Sequence, residues 1–119
     1  MPLLPIVDLE AIANLRALSP DDGDAFLKEI LTIFIDDTPA RIAELHSHLA
    51  SGNAAGFVRA AHSIKGSSSN VGALELRAIA ERLEHHSRNN GLTEVDATIV
   101  ELEGAFARAQ EEFEKLISA

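Results

Sequence analysis

Apolar residues along this chain recur at intervals of three and four and hardly ever alternate in twos. That is the period of helix faces, not of strands. From Asp8 to Leu18, Ile12 and Leu15 share a face with Leu9 or Ala11, and Asp8 stands where a cap belongs. Ser19-Pro20-Asp21-Asp22-Gly23 then breaks the chain. From Asp24 to about Ala50, Leu27, Ile30, Leu31, Phe34 and Ile35 keep helical spacing, and Ile42, Leu45 and Leu49 resume it. Thr38-Pro39 lies between the two runs and predicts a kink or a restart, with Thr38 as cap and Pro39 in a first-turn position.

Ser51-Gly52-Asn53 ends that segment, and Asn53 caps the next, from Ala54 to about Ser69. Its buried stripe reads Phe57, Val58, Ala61 and Ile64, continued by Ser68 and Val71. After Asn70-Val71-Gly72, a helix from about Ala73 to Asn89 buries Leu74, Leu76, Ile79, Ala80 and Leu83. Asn89-Asn90-Gly91 ends it with residues that tolerate positive φ. Thr93 with Asp96 resembles a capping arrangement for the last helix, which carries Val95, Ile99, Leu102, Phe106, Ala109 and Phe113 towards Ile117. Four long amphipathic helices with short links favour antiparallel neighbours. The expected fold is all-α: one domain over residues 1–119, an up-down four-helix bundle with a short extra N-terminal helix.

Composition narrows what such a bundle can do. With 10 Lys and Arg against 19 Asp and Glu the net charge is −9, which argues against nucleic acid and anionic membranes as partners. There is no Cys, so disulfides, thiolate metal sites and cysteine nucleophiles are excluded. Trp and Tyr are absent, leaving no stacking platform for single-stranded nucleic acid. No apolar run approaches the ~20 residues of a membrane span, and Met1-Pro2-Leu3-Leu4-Pro5 lacks the basic residue and apolar core of a signal peptide. A soluble, cytoplasmic protein is expected. The acidity is uneven: the 30 residues from Leu45 to Leu74 hold no Asp or Glu, where even spacing would put about five, and Arg59 and Lys65 are the formal charges there besides histidines.

The obvious catalytic motifs are missing. There is no His-Glu-x-x-His, no Glu with His three places on, and no two of His46, His48, His62, His85 and His86 lie three or four apart, so no metal-binding pair shares a helix face. Gly66-Ser67-Ser68-Ser69-Asn70-Val71-Gly72 fits neither a phosphate loop nor a nucleophile elbow, and serines near a helix end are ordinarily solvent-facing or capping. His62 remains, at the edge of its helix's apolar stripe. Gly66 is the informative neighbour, since a glycine inside a helix costs roughly 1 kcal/mol against alanine. Helical side chains lean towards the N-terminus, so a residue at i+4 covers the surface over residue i. Gly66 therefore leaves the imidazole of His62 uncovered, while Lys65 brings a positive charge from i+3. An accessible imidazole beside a cation suits a phosphoryl group, which carries about two negative charges near neutral pH.

The string Ala60-Ala61-His62-Ser63-Ile64-Lys65-Gly66-Ser67-Ser68-Ser69-Asn70-Val71-Gly72-Ala73 closely resembles the signature of histidine-containing phosphotransfer (HPt) domains. Phe34 to Pro39 is similar to the family's Phe-acidic-x-x-Pro stretch, and Leu83-Glu84 to its fourth-helix Leu-Glu. The resemblance implies that His62 is phosphorylated on Nε2, that Lys65 stabilises the phosphoryl group and that Gly66 gives access. It implies response-regulator receiver domains as partners, and a hybrid histidine kinase upstream. The receiver would supply Mg²⁺ and most of the catalysis, so this chain would bind no cofactor and be a phosphorelay intermediate, not an enzyme. Glu84 matches the family position, often Gln, that bonds Nδ1 of the histidine. A carboxylate accepting from Nδ1–H would keep Nε2 free as the nucleophile. Arg59, Val58 and Ser69 are expected to support the site or dock the partner. The chain starts at Met1 with no kinase attached, which favours a free-standing protein. The competing expectation is a non-catalytic bundle that binds a receiver or kinase as an adaptor.

Overall fold

The computed structural model describes residues 5–119, so the first four residues of the N-terminal stretch, and that part of the signal-peptide reading, lie outside the described residues. Within them the chain forms five helices and no strand: α1 (Leu9–Ala17), α2 (Ala25–Ser51), α3 (Ala54–Val71), α4 (Leu74–Asn90) and α5 (Asp96–Ser118). α2 packs on α3, α3 on α4, α4 on α5 and α5 back on α2, while α1 lies against α2 and α3.

The local chemistry explains most of the boundaries. The Asp8 carboxylate accepts from the Glu10 N–H at 3.0 Å, and the Asn53 side chain from the Gly56 N–H at 2.9 Å. Both are the caps expected from sequence, each satisfying a donor that the first turn leaves orphaned. Two boundary expectations fail, the restart at Thr38-Pro39 and the capping role of Thr93. α2 runs without restart through Pro39, which sits exposed in its interior. Thr38 is not a cap there: it is buried, and its hydroxyl donates to the Phe34 carbonyl at 2.7 Å. A proline removes one donor from the helix ladder, but a helix held on both sides of that point by Phe34 and Ile42 in the core has no reason to separate. The last helix begins at Asp96, not at Thr93, whose hydroxyl instead donates back to the Asn90 carbonyl at 3.1 Å.

The core is apolar and continuous across the helices. Phe34 of α2 lies between two rings of α5, with centroids 6.0 Å from Phe106 and 5.6 Å from Phe113, the latter edge-on. Phe57, Ala60, Ala61 and Ile64 of α3 and Leu76, Ala80 and Leu83 of α4 complete it. Val58 departs from the expected stripe and is half-buried at the α3–α4 seam, with Ala60 inward in its place, while Leu74 and Ile79 are also only half-buried. Ser68 continues the buried stripe, as its spacing predicts, and is neither solvent-facing nor a cap: it is fully buried and its hydroxyl has no partner, whereas Ser67 bonds the Ile64 carbonyl at 3.2 Å.

Gly72 joins α1 to this frame. It ends α3 at φ 73°, where a side chain is strained. A Cβ there would come within 2.7 Å of the Ala11 Cβ and 3.1 Å of the Asp8 carbonyl oxygen. The Asp8 N–H donates to the Gly72 carbonyl at 2.7 Å, so the turn between α3 and α4 is also the seat of α1. Among the described residues no helix is long and apolar enough to cross a membrane.

Candidate functional site

α3 and α4 share the broadest of the helix contacts, and the candidate residues lie along that seam. His62 is on the outer face of α3 with its side chain 62% exposed. Glu84 faces it from α4 with 4% of its side chain exposed. His62 Nδ1 lies 3.0 Å from Glu84 Oε2. Lys65 Nζ lies 2.8 Å from the other oxygen, Oε1, and the Arg88 Nη2 donates to Oε2 at 2.8 Å. One buried carboxylate thus gathers three nitrogen donors, each on the side of the seam that reaches solvent.

The electrostatics of Glu84 follow from this cluster. Burial is the largest influence and pushes the carboxyl up, but the hydrogen bonds and charges of Lys65 and His62 together outweigh it, and the group lies below its ordinary value of 4.5. Near neutral pH Glu84 is a carboxylate, which can only accept. The hydrogen shared with His62 therefore belongs to Nδ1, and in the neutral imidazole the lone pair is left on Nε2.

Gly66 occupies the position that the sequence reading gave it. It is exposed inside α3, and a Cβ built there meets nothing within 4 Å. Close helix packing therefore does not call for this glycine, and the space over His62 stays open. Next to the imidazole is a shallow depression of about 340 Å³, walled by Val58, Arg59, His62, Ser63 and Arg88.

The fold thus brings together His62, Lys65, Gly66 and Glu84, and sets Val58 and Arg59 beside them. Ser69 is exposed about two turns further along α3 and shares no bond with this cluster. Arg88 is the residue that the sequence reading passed over. Its signal was present, since an acid followed four residues later by arginine makes a helix-face pair. The other histidines stand apart: His46 reaches Glu103 at 3.2 Å and His86 donates to the Thr93 carbonyl at 2.6 Å. Among the described residues no three His, Cys, Asp or Glu side chains are grouped to hold a metal.

The fold is shared with known proteins. A family model, the Hpt domain, matches residues 29–118. The chain is similar to the crystal structure of histidine-containing phosphotransfer protein B (HptB) from Pseudomonas aeruginosa PAO1, with 30% identity and a TM-score of 0.87 over 98% of this chain and 97% of that one. A histidine-containing phosphotransfer protein from maize shares the fold at 23% identity and a TM-score of 0.84, over 95% of this chain and 83% of that one. The HPT domain of a sensor hybrid histidine kinase from Shewanella shares it at 16% identity and a TM-score of 0.71, over 93% and 97%. No curated protein sequence matches the chain significantly.

Proposed function

The chain belongs to the Hpt domain family, whose role is histidine phosphotransfer in a phosphorelay, and from that premise we propose that His62 is the residue that carries the phosphoryl group, on Nε2. The observation that supports this most is the bond between His62 Nδ1 and the buried Glu84 carboxylate, which leaves Nε2 as the nucleophile on a mostly exposed ring.

Each neighbour then has a part. Glu84 orients the imidazole and meets the positive charge that the ring acquires when its second nitrogen bonds phosphorus. Lys65 holds Glu84 from its other oxygen and adds positive charge beside the incoming group. Gly66 leaves room for the partner. The donor is the aspartyl phosphate of a receiver domain. Its P–O bond breaks as the P–Nε2 bond forms, the aspartate leaves as a carboxylate, and the reverse step passes the group to another receiver. The receiver brings Mg²⁺, in keeping with a transfer in which positioning and charge neutralisation do most of the work. This chain contributes the acceptor and acts as an intermediate. Val58 and Ser69 belong to the face on which the receiver docks, and a histidine kinase of the hybrid type stands upstream.

The framework for this is an up-down antiparallel bundle of α2 to α5 with α1 laid on one end. Supporting it, Glu75 pairs with Arg108 and Arg82 with Glu101, so that residues further along α4 meet residues earlier in α5.

The test is incubation with a phosphorylated receiver. The parent should gain an acid-labile, base-stable label, and His62→Gln should gain none while keeping its helical circular dichroism. A folded His62→Gln that labels as well as the parent would remove His62 from this role.

A further inference from the structure

We propose that the depression beside His62 seats the phosphoryl oxygens and that Arg59 is the cation that neutralises them. This rests on His62 being the phosphorylated residue. The depression is walled by the imidazole itself, so oxygens carried by that ring meet a surface whose two cations are Arg59 and Arg88. They are not equivalent. Arg88 already donates to Glu84 Oε2, and Lys65, which is not part of the wall, is bonded to Oε1. Arg59 is exposed and, among the described residues, has neither a carboxylate partner nor a hydrogen bond.

The prior commitments of the other cations point the same way. Lys65 and Arg88 both bond the Glu84 carboxylate, whereas Arg59 is free to turn towards a phosphoryl group, which carries about two negative charges near neutral pH. Arginine also suits the task by shape, because its planar fork can bond two phosphoryl oxygens at once. Ser63, on the same wall, offers a hydroxyl donor to the third.

The experiment needs no receiver. Phosphoramidate delivers the group directly: its P–N bond breaks, ammonia leaves, the P–Nε2 bond forms, and the positive charge left on the ring is met by Glu84 at Nδ1. The ratio of phosphorylated to free protein is read by ³¹P NMR at a fixed ratio of phosphoramidate to ammonia and low salt. Arg59→Gln should lower that ratio about threefold, the size of a good exposed ion pair, and Arg59→Lys should recover most of it. Arg82→Gln, which removes the same charge from the seam with α5, should leave it unchanged. An Arg59→Gln ratio equal to the parent's overturns the proposal, and so does an equal fall in Arg82→Gln, which would reduce the effect to net charge. His62→Gln keeps the two ideas apart. Labelling that survives it refutes the assignment of His62, whereas labelling lost there and unchanged in Arg59→Gln refutes Arg59 alone.

Discussion

Gly66→Ala should make this protein more stable and worse at its task. The residue lies well inside α3, between Ala54 and Val71, and is exposed with helical backbone. An alanine methyl there touches no atom within 4 Å, so it adds neither a clash nor a packing gain. What remains is backbone entropy: glycine loses more freedom than alanine when the helix forms, by about 0.5–1 kcal/mol. For a domain of this size that is a rise in Tm of roughly 2–4 °C. Urea denaturation followed by circular dichroism at 222 nm reads the free-energy gain directly. The methyl would also sit on the face of α3 that carries His62, one turn along the helix, more than 4 Å from the imidazole but on ground that an incoming partner crosses. A reacting phosphorus must come within bonding reach of Nε2, and displacement by even 1 Å can cost up to about a hundredfold. Transfer from a phosphorylated receiver should therefore slow by about tenfold or more, while labelling by phosphoramidate, a far smaller donor, should change much less. Loss of stability in Gly66→Ala would show that the fold requires the glycine. A gain in stability with unchanged receiver transfer would show that access is not its purpose. Either result refutes the reasoning.

Acid should weaken the fold through Glu84. Its carboxyl lies below the ordinary value of 4.5 in the folded chain, so the unfolded chain takes up the proton first as the pH drops. The stabilisation is complete above that ordinary value and is lost as the pH falls through the lower, folded one. Glu84→Gln should cost about 1–2 kcal/mol at pH 7 and flatten the decline on acidification, which urea titrations at a series of pH values would reveal; a parallel decline in both proteins would contradict it. Ser68→Ala should stabilise the protein by about 1 kcal/mol, since it removes a fully buried hydroxyl with no partner and improves helix propensity. A lower urea midpoint for that variant would mean that the hydroxyl is satisfied in solution.

What the sequence alone determined were the properties that local periodicity and local chemistry carry. The i, i+3, i+4 spacing of Leu27, Leu31, Phe34 and of Ile99, Leu102, Phe106 marks a helix face wherever the helix ends up, because the period belongs to the backbone. The caps at Asp8 and Asn53 were legible for the same reason, each being a bond between residues two or three apart. So was the bare ground over His62, which needs only the direction in which helical side chains lean. Thr38-Pro39 misled because a proline has a local cost, while the reason the helix continues is tertiary: Phe34 and Ile42 are anchored in one core on either side of it. Val58 was misjudged for a like reason, since the edge of a stripe is defined by the neighbouring helix and not by the helix itself. Tertiary structure alone decided what happens at Glu84. Twenty-two residues separate it from His62, and only the register of α3 against α4 makes that 3.0 Å. The same register buries the carboxylate among Lys65 and Arg88 and, by holding the proton on Nδ1, leaves the lone pair of the neutral ring on Nε2.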